Sequence, residues 1–181
     1  MTTRATAAPA VAARASSVDR GVAFAAAVVA LLCLLRVGAS GDGVIAGFAG
    51  FVLVWLAAID VRERVLPNRI VIPATVVALL LHIALAPSAA PEWILATFGA
   101  ALVFFIPASL RPDALGMGDV KLAMLLGALL GRAVVGALAV GLFAAGAFAL
   151  LLVLVRGRSA LKTDIPLGPF LALGALVALL A

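Results

Sequence analysis

Cysteine, histidine and charge are all scarce in this chain. Of 181 residues one is cysteine and one is histidine, and only 12% are charged. The lone Cys33 lies in an apolar stretch, so neither a disulfide framework nor a four-thiolate metal site can be built within one chain. With His82 as the single histidine and no HExxH pattern, a zinc triad lacks its ligands too. The shortage of charge excludes more. A soluble domain must keep polar faces, whereas this chain is 66% hydrophobic with a mean hydropathy of +1.32. Its solvent is the bilayer, in which every backbone polar group has to be satisfied inside its own segment.

The apolar runs predict an all-α polytopic bundle of about six or seven transmembrane helices, at roughly 21–38, 44–60, 69–87, 92–110, 117–133, 134–155 and 165–181. Residues 1–20 are small and polar and carry no hydrophobic stripe, so they are expected to be a disordered cytoplasmic tail, with 21–181 as one transmembrane domain. The first run, ending at Val37-Gly38-Ala39, also fits the outline of a cleaved signal. Cleavage would leave the orientation of the later helices unchanged, and anchoring is the reading adopted.

The net charge of +5 and pI of about 11.1 would suggest nucleic acid in a soluble protein. Here the basic residues follow topology. With the N-terminus inside, Arg4, Arg14, Arg20, Arg62, Arg64, Arg69, Arg111, Lys121, Arg156, Arg158 and Lys162 all fall on the inner face, leaving only Arg36 and Arg132 outside. A nucleic-acid partner is not expected; the lipid bilayer is. Glycines four apart, Gly43 with Gly47 and Gly127 with Gly131, would let helix backbones approach closely. Trp93 falls at an outer helix edge and reads as an interfacial anchor, and Trp55, one turn above Asp60, as a shield for it.

Two acidic residues stand out. Asp60 closes the second span, where a negative charge opposes the helix dipole and is an odd choice for solubility alone. Asp119 follows Gly116-Met117-Gly118 at the start of the fifth span, where a carboxylate is favoured, but the paired glycines have no such explanation. The chosen topology puts both on the cytoplasmic side. Two carboxylates held close cannot both ionise cheaply, so such a pair shares a proton and can activate water against a peptide carbonyl. Only about 18 Å of helix separates Asp119 from Arg132, so Asp119 lies below the headgroups or the bilayer thins there.

Three segments together resemble the type IV prepilin peptidases, membrane aspartyl proteases of the GxGD kind. Asp60 with Leu66-Pro67-Asn68 is similar to the family's first aspartate and its downstream turn. Gly116-Met117-Gly118-Asp119-Val120-Lys121-Leu122 is similar to the second-aspartate motif, and Ile165-Pro166-Leu167-Gly168-Pro169-Phe170 to the closing helix. The resemblance implies Asp60 and Asp119 as catalytic residues, with Gly116, Gly118, Lys121, Pro67 and Asn68 as supporting motif positions. It also implies cleavage of basic leaders of prepilins or pseudopilins at the cytoplasmic face of the inner membrane, usually after a glycine, with no cofactor. Long members add a methyltransferase region with paired cysteine motifs. This chain has no CxxC and resembles the short, peptidase-only form.

Two other readings compete. Gly38-Ala39-Ser40-Gly41 matches a GxSG nucleophile pattern, but Ser40 is expected in an outer loop and His82 near the middle of the third span. His82 is better read as an interhelical hydrogen-bonding group. A non-catalytic scaffold or small transporter would use the aspartates as ion or proton sites, yet both lie near one face, with only His82 to continue a route.

Overall fold

The computed structural model describes residues 20–110, 115–157 and 166–181. Residues 1–19 of the expected tail, together with Arg111, Arg158 and Lys162, lie outside them, while Arg20, the tail's last residue, opens the first helix. Seven α-helices follow in order: α1 Arg20–Val37, α2 Gly41–Glu63, α3 Asn68–Leu85, α4 Ala90–Leu110, α5 Met117–Leu130, α6 Val134–Arg156 and α7 Gly168–Leu180. Short 3-10 turns at Pro87–Ala89 and Gly131–Ala133 join α3 to α4 and α5 to α6. Five helical segments are long and apolar enough to cross a membrane; the fifth, Met117–Arg156, holds α5 and α6, and α7 is a shorter apolar helix. The protein is a helical, multi-pass membrane bundle.

Its surface fits lipid. Phe24, Leu95, Phe98, Phe143 and Leu154 all stand exposed, which in water would form an aggregating apolar face and in hydrocarbon needs no cover. Polar side chains inside the helices are satisfied locally. The Thr75, Thr97 and Ser109 hydroxyls donate to the carbonyls of Val71, Trp93 and Phe105 one turn back, at 2.8, 2.7 and 2.8 Å.

Helix α5 is the centre. Val120, Leu122, Ala123 and Leu125–Leu130 are all buried, and α4, α3, α7, α6 and α2 pack around it. Close approach depends on glycine. A Cβ on Gly127 would collide with the Ala96 backbone of α4, and one on Gly174 of α7 with the Ala137 carbonyl of α6. On the periphery, α1 buries only Ala26 and Cys33 and lies along α2, where Gly47 and Gly50 leave room for the Ala30 carbonyl and the Cys33 sulfur.

The helices alternate in direction. One end of the bundle gathers the C-termini of α2, α4 and α6 with the N-termini of α3, α5 and α7. The opposite end holds a separate clasp. The His82 ring, in the last turn of α3 rather than in mid-span, stacks on Trp93 of α4 with centroids 3.5 Å apart and planes within 14°. Its Nε2 has no hydrogen-bond partner. Trp93 also closes over Gly131, whose φ of +54° ends α5 in a turn that side chains disfavour. Trp93 is therefore half-buried packing, and more than the interfacial anchor expected of it. Beside it Arg132 Nε pairs with Glu92 Oε1 at 2.7 Å. Ser40, expected in a loop as part of the GxSG pattern, is the N-cap of α2 and accepts the Gly43 amide at 3.2 Å.

These contacts give two expectations for unfolding of the purified protein in detergent. Gly127→Ala lowers stability by about 1–3 kcal/mol through overpacking, whereas Gly99→Ala, which meets open space, leaves it level or slightly higher. At the clasp, Trp93→Ala removes about 2–3 kcal/mol. Arg132→Ala, with its side chain 85% exposed, removes less than about 1 kcal/mol.

Candidate active site

Asp60 is in the last turn of α2, and its carbonyl accepts the Arg64 amide at 2.9 Å as the helix ends. Arg64 takes the left-handed conformation, φ 51° and ψ 29°, turning the chain sharply toward Leu66. The Asp60 side chain does not follow the chain out to solvent: it is 7% exposed. Its Oδ2 accepts the backbone N–H of Gly168, 108 residues away, at 3.0 Å. Asp119 enters from the other side, in the first turn of α5, half-buried, its amide donating to the Gly116 carbonyl at 3.1 Å. The two carboxyl groups lie close enough to act on each other electrostatically.

The loop after Asp60 is tied to the helix that carries Asp119. Leu66 is buried and lies against Gly118, so that a Cβ there would be 3.5 Å from the Leu66 Cβ. Pro67 is the N-cap of α3, its carbonyl receiving the amides of Ile70 and Val71 at 3.0 and 3.1 Å. Its fixed φ and missing N–H suit that position. Asn68 opens α3, and its Oδ1 accepts Lys121 Nζ at 2.8 Å. Lys121 thus links α5 to α3. Asp60, Pro67, Asn68, Gly116, Gly118, Asp119 and Lys121 all gather at one end of the bundle.

The glycines flanking Met117 have a plainer role than backbone freedom. Gly116 has φ −76° and ψ 148° as the N-cap of α5, an extended conformation open to any residue. A Cβ there would lie 3.7 Å from Asp119 Oδ2, so the glycine leaves the space beside that carboxyl bare. Trp55 stacks on Phe51 of its own helix, centroids 5.6 Å apart.

One residue of the site has no side chain to advertise it. Gly168 belongs to the third motif, but the reason for it lies in Asp60: the nearest neighbours of a Cβ at 168 would all be atoms of that carboxylate, in collision. The sequence signal was a glycine before a proline at a helix start, too common to single out. Among the described residues, no group of three or more His, Cys, Asp or Glu side chains comes together that could hold a metal ion.

No curated protein and no solved structure matches the chain. A family model does: the type IV leader peptidase family matches over residues 47–155, well over half of the chain. The matched stretch runs from α2 to the end of α6, taking in both aspartates and their motifs and stopping before α7. The chain therefore belongs to the type IV leader peptidase family, and is a peptidase built into a multi-pass membrane bundle.

Proposed function

We propose that the chain is an aspartic endopeptidase whose dyad is Asp60 and Asp119, within one peptidase domain spanning residues 21–181. The observation that carries this reading is the meeting of two carboxyls from separate motifs at one end of an apolar bundle, within electrostatic reach, Asp60 buried and Asp119 half-buried. Such a pair holds one proton between its members. The ionised carboxylate takes a proton from a water molecule as its oxygen attacks the scissile carbonyl carbon, and the protonated partner gives its proton to the carbonyl oxygen. Collapse of the tetrahedral diol breaks the C–N bond as the leaving nitrogen is protonated, releasing a carboxylic acid and an amine and restoring the shared proton.

The bare backbone at Gly116 leaves an extended peptide room beside Asp119. The substrate class that fits is a prepilin or pseudopilin with a short basic leader, cut after glycine at the cytoplasmic face of the inner membrane. Arg62, Arg64, Arg69 and Arg156 all belong to the dyad end of the bundle, and by the charge rule that end is cytoplasmic. Cys33 is the chain's only cysteine and is buried against α2, so this chain carries no paired-cysteine motif, and the proposed activity is proteolysis without N-methylation. Among the described residues, His82, the group that would continue a proton or ion route, stands in the clasp at the far end of the bundle.

The test is cleavage of a co-expressed prepilin bearing a glycine-ended basic leader, at matched membrane abundance of enzyme. Wild type cuts, and Asp60→Asn and Asp119→Asn each lose on the order of 10³-fold or more of the rate. Cleavage at the wild-type rate by either variant refutes the dyad. Lys121→Met breaks only the tie to Asn68; its expected loss, about tenfold or less, is measured in the same assay.

A further inference from the structure

Helix α7 lies outside the stretch matched to the family, yet it reaches the site. We infer that Gly168 is a positioning residue for the reaction: its backbone N–H fixes the Asp60 carboxylate, and its missing side chain lets α7 approach near enough to deliver that bond. The inference rests on Asp60 being part of the dyad and adds a third wall to it.

Four observations support the role. First, the bond is buried and of ordinary length, at 3.0 Å, and a bond from an amide to a carboxylate is among the stronger ones a backbone can make. Second, glycine at 168 is not explained by conformation, because the glycines with positive φ are Gly38, Gly131 and Gly157. It is explained by proximity, since a Cβ there would strike the Asp60 carboxylate.

Third, the first turn of α7 has its donors arranged so that one points at Asp60. A helix N-terminus leaves its first amides without partners. Here Pro169 has no N–H to offer, and the amides of Phe170 and Leu171 are taken by the Leu167 carbonyl, both at 3.1 Å. The Gly168 N–H is left for Asp60, at the end of the helix dipole that favours a negative charge. Fourth, the height of α7 is set elsewhere. Gly141 and Gly174 interlock α6 and α7 so closely that a Cβ on either would meet the other helix's backbone, and Phe148 packs on Phe170 with ring centroids 5.4 Å apart. The register of that interlock holds Gly168 level with Asp60.

With Oδ2 held by α7, Oδ1 is the oxygen left to exchange a proton with water. A carboxylate free to rotate would lose that orientation, and a misplacement of about 1 Å can lower a rate by on the order of 10²-fold.

The experiment compares full-length wild type, Gly168→Ala, Gly99→Ala, Gly127→Ala and Asp60→Asn, purified in lipid nanodiscs, on a synthetic glycine-ended basic leader peptide. Gly168→Ala is expected to lower kcat by on the order of 10²-fold, with KM within about threefold and an unfolding midpoint lowered no further than by Gly127→Ala, which serves as the overpacking control. Gly99→Ala, in open space, turns over like wild type. A parallel measurement does not depend on the alanine variant folding: the Gly168 amide proton, read by NMR, lies downfield in wild type and moves upfield in Asp60→Asn. Wild-type kcat in Gly168→Ala, or a Gly168 amide proton that ignores Asp60→Asn, overturns the positioning role while the dyad stands. Full cleavage by Asp60→Asn overturns the dyad itself, and the role of Gly168 with it.

Discussion

Helix α5 has no face to spare. Its fourteen residues make about 21 Å of helix, too short to cross a hydrocarbon core of about 30 Å alone, and nearly every side chain beyond its first turn is buried in protein. The helix is possible only because its neighbours surround it, and their arrangement is in turn dictated by it. Gly127 sets how near α4 can come, and the turn at Gly131 sends α6 back toward the opposite end. Asp119 gains from this enclosure. A carboxyl at the mouth of a lipid-exposed helix would be drawn to the headgroups, whereas one on an encased helix is kept where its partner can reach it.

Much of this could be read from the sequence, and the reasons are physical. Apolar runs report helices directly when the solvent is lipid, so the third run, expected at 69–87, is found at 68–85, and the fifth, expected to be short, is short. The aspartates could be found because a charge in an apolar sequence is conspicuous. What stayed hidden were effects without a side-chain signature. Nothing in the residue type at 168 tells that a backbone amide there meets a carboxylate from α2. The glycines at 116 and 118 suggested backbone freedom and close approach; neither takes a positive φ, and a Cβ at either would meet its neighbours at ordinary contact distance. His82 was expected near mid-span and is found in the last turn of its helix, which ends at Leu85, about half a turn before the apolar run suggested.

The two ends of the bundle solve different problems with different materials. At the far end an imidazole lies flat on an indole, a guanidinium meets a carboxylate, and a serine caps a helix: contacts mostly between neighbours in sequence or helices adjacent in the chain, though His82 also reaches the Leu129 backbone of α5. At the dyad end the ties are long. Asn68 to Lys121 and Asp60 to Gly168 each join helices that are not consecutive. The first kind of contact sets helix pairs; the second sets how the pairs are arranged.

The length of the longest tie has a consequence in time. A ribosome extends a chain from its N-terminus at about 5–20 residues per second, so the 108 positions between Asp60 and Gly168 correspond to roughly 5–20 s of synthesis. For that interval α2 carries its carboxylate in the membrane before the amide that will receive it exists. Both acidic motifs are inserted before the final helix can complete their surroundings. Until α7 is made, the end of the bundle that holds Asp60 is short of one wall, and the chain passes through the insertion machinery with that end still open.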